Sequence, residues 1–104
     1  MWWKESLGEK CPHGHEIFLV SGPYVRNTYS SDFVQGDNFC HSPQFVPRGE
    51  IWLDASMPSE EWPYVAYHEC IETEEMLKGK DYETAHDVAQ KAEDRFRRLH
   101  HPGE

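Results

Sequence analysis

SEEWPYVAYHECIETEEMLKGKDYETAHDVAQKAEDRFRRLH, residues 59–100, decides the fold. Ser59 is read as a helix N-cap, and Glu60 and Glu61 behind it suit the positive end of a helix dipole. Pro63 falls in the first turn, where its missing N–H does no harm. Lys78-Gly79 is a stop signal, a basic residue followed by a C-cap glycine. Asp81 then caps a second helix from Tyr82 to about Leu99, and Pro102-Gly103 closes the chain. A two-residue link between helices predicts an antiparallel hairpin.

Stepping at about 100° per residue places the side chains around each helix. On the first, Trp62, Val65, Ala66, Met76 and Leu77 share an apolar arc. Glu69 falls in the middle of that arc, Glu72 on its edge, and His68 on its border. Tyr67, Glu74 and Lys78 occupy the solvated side. An ionised Glu inside a buried stripe is costly unless it is paired, hydrogen-bonded or metal-bound. Glu69 is therefore expected to be the most buried carboxylate and to face a partner, which the second helix is placed to supply. There the apolar stripe runs Tyr82, Ala85, Ala89, Ala92, Phe96 and Leu99, with His86 and Glu93 interleaved on the same face. A turn centred near Lys80 sets the register, bringing His86 near Glu72 and Glu93 near His68.

Three readings of this cluster stand side by side. As a metal site, His68 and Glu72 at i, i+4 reach one ion from one helix face, and His86 adds a third ligand. Three His/Glu ligands with an open position is the arrangement of catalytic zinc. Glu69 would be the general base acting on water there, and Glu93 a fourth ligand or an outer partner for a histidine. As a structural network, the five groups bond one another and fix the helix pairing. As a binding module, the acidic surface docks a basic protein or peptide partner, with Trp2, Trp3, Trp52 and Trp62 as candidate anchors. Trp52 and Trp62 also fit a core role.

His68-Glu69-Cys70-Ile71-Glu72 resembles the H-E-x-x-H helix of zincin metalloproteases, with Glu in place of the second His. Residues 45–98 are also similar to small uncharacterised proteins of bacterial and phage genomes. In those, a strand like Glu50-Ile-Trp-Leu-Asp54 precedes a His-Glu helix, and a segment like Gly79-Lys-Asp-Tyr82, Ala85-His86, Ala89 and Glu93 follows. The zincin-like helix implies zinc-dependent hydrolase chemistry, and the wider resemblance implies a shared fold and polar centre without an activity.

Residues 1–58 have a different character, holding most of the proline and glycine. Short apolar runs between turn signals read as strands. Glu16–Val20 and Glu50–Asp54 are the clear ones, Tyr24–Tyr29 and Phe33–Gly36 are weaker, and 36–47 reads as an irregular loop. The expected fold is α+β. It is a small, mostly antiparallel sheet from residues 1–58, packed against the helical hairpin of 59–100, all within one domain of 104 residues.

The net charge of −9 disfavours nucleic-acid backbones and anionic membranes as partners. An aromatic share of 13% argues for a folded chain. The N-terminus lacks the regions of a signal peptide, which makes the cytoplasm the default location. Three cysteines, Cys11, Cys40 and Cys70, fit no disulfide framework and are expected as free thiols. Cys11-Pro-His13-Gly-His15 and Cys40-His41 carry soft metal ligands, but sharing an ion would require the loop at 40 to return to residue 11. The basic run Lys91, Arg95, Arg97, Arg98, His100 and His101 reads as favourable charge at a helix C-terminus.

Overall fold

The computed structural model describes residues 2–100, so His101 and the Pro102-Gly103 stop lie outside the described residues. The elements are β1 (Lys4–Lys10), β2 (Glu16–Val20), α1 (Gly22–Thr28), β3 (Gly36–Asn38), β4 (Glu50–Asp54), α2 (Trp62–Leu77) and α3 (Tyr82–His100). The fold is α+β, with the sheet ordered β1-β2-β4-β3. The two outer pairings are antiparallel and the central β2–β4 pairing is parallel.

Alternation along the two central strands separates two cores. Ile17, Leu19, Ile51 and Leu53 face one side and pack with Val65 of α2. Val20 and Trp52 face the other and pack with Val25 of α1, Phe33 and Val46, flanked by Trp3, Phe39 and Phe45. Trp52 is thus a core residue at 1% exposure. The edge strand β3 also meets α2, which fixes where the cluster of polar groups will sit.

Helix α2 is preceded by a 3-10 turn, Ser59–Glu61, and carries Pro63 in its first turn. The chain leaves α2 through Gly79, whose φ of +104° suits only glycine. Asp81 Oδ1 accepts the Thr84 N–H at 2.8 Å and caps α3. Polar pairs link residue 61 with 97, 68 with 93 and 72 with 86, so the helices run antiparallel. No described helix is long and apolar enough to cross a membrane.

Several expectations are corrected. Tyr24–Tyr29 is not a strand: Ser21-Gly-Pro23 starts helix α1, with Ser21 Oγ accepting the Tyr24 N–H at 3.2 Å. Gly22 is required there, because a Cβ would lie 2.1 Å from Oδ2 of Asp54. The third strand begins at Gly36 rather than ending there. Strand β1 lacks a sequence signal. Leu7 is its one apolar side chain, and a bulge at Gly8, φ +82°, breaks the alternation. The apolar arc of α2 is also shifted. Leu77, placed in that arc, is 57% exposed, whereas Cys70, which lies outside it, is buried. The reason is covalent, since Cys11 and Cys70 form a disulfide and Cys40 is the free cysteine.

Candidate functional site

The hairpin register predicted from the turn at Lys80 holds. Glu72 Oε2 lies 3.1 Å from His68 Nε2 and 3.0 Å from His86 Nδ1. His68 Nδ1, on the other side of the ring, lies 3.0 Å from Glu93 Oε1. His68, Glu72 and His86 each offer one ligand atom, all within 4.8 Å of one another, and together can hold a metal ion. Donors bound tetrahedrally at zinc–ligand lengths sit about 3.3 Å apart. The two distances from Glu72 Oε2 are within a few tenths of an ångström of that.

Glu93 is outside the converging three. It takes the far nitrogen of His68 and accepts from Arg97 Nε at 2.8 Å. Arg97 in turn forks onto Glu61 at 2.8 and 3.2 Å, closing the open end of the hairpin. A carboxylate on the distal nitrogen of a ligand histidine fixes its tautomer and ring angle.

Among the described residues, Glu69 meets neither His86 nor any other α3 residue by hydrogen bond. Its partner is Asn38 of β3, whose Nδ2 donates to Glu69 Oε1 at 2.9 Å and to Glu72 Oε1 at 3.0 Å. Asn38 is fully enclosed, at 0% exposure. Its Oδ1 accepts the backbone N–H groups of Cys40 and His41, both at 2.9 Å. The sequence reading missed this residue, because a three-residue strand has no periodicity to read. The one available signal was an Asp-Asn pair next to a glycine. Glu72, at 2% exposure, is more enclosed than Glu69 at 7%, so the expectation that Glu69 is the most buried carboxylate is corrected. The strands lie closer to the edge of the α2 arc than the arc alone indicates.

The electrostatics separate the two carboxyls. Burial and the neighbouring Glu72 charge push the Glu69 carboxyl well above the usual range, so it favours its protonated form. For Glu72 burial also raises the pKa, but hydrogen bonds from His68, His86 and Asn38 win and hold it low. Burial works against the His68 imidazolium. The Glu72 hydrogen bond and the charges of Glu69, Glu72 and Glu93 reverse that, and its pKa is raised.

These groups line a cleft of 360 Å³ between β3 and the hairpin, with Gly36 and Val65 on its wall and Asp37, His41, Tyr82 and Gln90 around it. Gly36 admits no side chain, because a Cβ would sit 2.9 Å from Val65 Cγ1 and 3.2 Å from Glu69 Cγ. The second candidate ligand set does not assemble. Cys11 is in the disulfide, and His13, His15, Cys40 and His41 form no metal-holding group among the described residues. The loop does return, with Phe39 packing on His15 at 4.9 Å, but His41 turns to the cleft.

No family model and no curated protein matches the chain, nor does any solved structure.

Proposed function

We propose that the protein is a small metal-dependent hydrolase, with zinc bound by His68, Glu72 and His86 and Glu69 as the general base. The observation that carries the reading is the convergence of three donor atoms at the wall of a cleft, with the distal nitrogen of His68 anchored on Glu93. Bound zinc would supply a Lewis acid that polarises a carbonyl and acidifies water. A divalent cation beside Glu69 lowers its pKa and converts the carboxyl into a competent base. Asn38 holds the Glu69 carboxyl in place and occupies Glu72 Oε1, which leaves Oε2 turned to the two histidines where the ion would sit. The zincin-like His68-Glu69 pair and the acceptance of Glu at position 72 as a ligand both belong to this reading.

A second reading keeps the cluster as a structural network in a non-enzymatic interaction protein. It is favoured by one fact: His68, Glu69, Glu72, His86 and Glu93 each have a protein partner without any metal. On location, disulfides form and persist in oxidising surroundings. The Cys11–Cys70 bond therefore supports such a compartment over the cytoplasm expected from the N-terminal sequence.

Metal content of protein purified without a histidine tag, set beside a Glu69→Gln variant, tests the proposal. Gln copies the shape of the protonated carboxyl and still accepts from Asn38. Zinc should stay stoichiometric and the melt should move by less than about 1 kcal/mol in stability, with hydrolysis abolished. Protein that takes up no zinc in either form would leave the structural reading standing.

A further inference from the structure

The loop after β3 presents a histidine that the metal reading does not use. His41 Nδ1 lies 3.0 Å from Asp37 Oδ1, and its ring stacks on Tyr82 with centroids 3.8 Å apart and planes at 18°. Asp37 is buried and its other oxygen accepts from Ser42 Oγ at 2.6 Å. The loop does not need the His41 ring to hold its shape. Its backbone is pinned by Asn38 Oδ1, by the Asn38 N–H on Asp37 and by the Ser42 N–H on the Asn38 carbonyl. The contacts of the ring thus serve to orient the ring itself. With Nδ1–H directed at Asp37, the remaining nitrogen, Nε2, meets no protein partner among the described residues. The side chain is 38% exposed and lines the same cleft as His68, Glu72 and His86.

We propose that His41 is a second catalytic residue of this cleft, the general acid that protonates a leaving group through Nε2. The proposal rests on the hydrolase reading and extends it. In ester hydrolysis the water oxygen bonds to the carbonyl carbon as its proton passes to Glu69. On collapse the bond from carbon to the alcohol oxygen breaks, the electron pair stays on that oxygen, and the proton of His41 Nε2 neutralises it. The proton held by Glu69 then returns to His41 through solvent, so nothing else is consumed. Asp37 of β3, Ser42 of the loop and Tyr82 of α3 are the groups facing the ring. Of these Asp37 faces Nδ1 and fixes the tautomer and angle of the ring.

Two esters with the same acyl group separate this role from a structural one. The 4-nitrophenolate of 4-nitrophenyl acetate departs without a proton, whereas the alkoxide of benzyl acetate needs one. In zinc-loaded protein, His41→Gln should slow benzyl acetate by about a hundredfold or more. It should change 4-nitrophenyl acetate by only a few-fold and leave zinc content unaltered. Equal slowing of both esters, or of neither, overturns the proposal while leaving the hydrolase reading intact. Wild-type protein that holds zinc and hydrolyses neither ester overturns both. Nitrogen-15 spectra of the neutral ring give a readout that needs no activity. Wild type should carry its proton on Nδ1 and Asp37→Asn should lose that preference, whereas an Nε2–H ring in wild type overturns the assignment.

Discussion

Replacing Asn38 by alanine would leave the Oε1 atoms of Glu69 and Glu72 enclosed with no donor between them. Each loses a hydrogen bond that offsets its desolvation, at about 1–3 kcal/mol for a buried group left unpaired. Asn38→Ala should lower the urea midpoint accordingly, and an unchanged midpoint would show that solvent reaches both carboxyls. The pH dependence of stability tests the charges. The folded pKa of His68 lies above its unfolded value of about 6.5. Its contribution is therefore full below that pH and lost as pH rises through the folded value. Glu69 is also raised, so its part declines from about 4.3 upward. Glu72 is lowered, and what it gives is present above about 4.3 and lost only as pH falls through its folded value. In chelator, melting temperature should thus decline as pH is raised from 6. With zinc it should climb over the same range, because ligand histidines must shed protons to bind. Parallel curves with and without zinc would count against ligation. At this scale the sequence disclosed His68, Glu72, His86 and Glu93 correctly as neighbours, since helix angle and hairpin register are local rules. It did not disclose Asn38 or Asp37, which reach the site through strand pairing across a long loop.

At the scale of elements, the site depends on how closely β3 approaches α2. Gly36 permits that approach, and a methyl group there would press on Val65 and on the Glu69 stem. Gly36→Ala should cost about 1–3 kcal/mol as overpacking. It should weaken zinc binding too, because α2 carries two of the three donors. Calorimetric titration would detect this, and unaltered zinc affinity would mean that the strand yields instead of the helix. The helices were legible because their caps are written in short-range chemistry, at Pro63, Lys78-Gly79 and Asp81. Strands β2 and β4 were legible as apolar runs. Strand β1 was not, because its pairing with β2 is imposed by tertiary context over a charged sequence. Helix α1 was legible in principle, since Ser21-Gly-Pro23 is the same kind of start signal as the one used for α2. Short length and β-branched, aromatic composition favoured the strand reading.

At the scale of the whole molecule, the bond between Cys11 and Cys70 closes a ring with a sequence separation of 59 residues. Its removal from the unfolded-chain entropy is worth about 4 kcal/mol in the loop-closure model, so Cys70→Ser should lower the melting temperature markedly. Odd cysteine number gave no hint of it, because pairing depends on where β1–β2 and α2 meet in space. The ring contains β2, α1, β3, β4 and the first half of α2, and it excludes α3. The molecule is therefore a stapled body with an unstapled tail, and the tail fully buries just Ala85 and Ala89 among its described side chains. His86 sits on the tail, whereas His68 and Glu72 sit on the helix rooted in the body. An ion shared by the three would act as a latch between a part tied by a covalent ring and a part outside it. Amide exchange should reveal it: α3 opens first and alone in metal-free protein, and zinc slows exchange there while leaving β2 and β4 as they were.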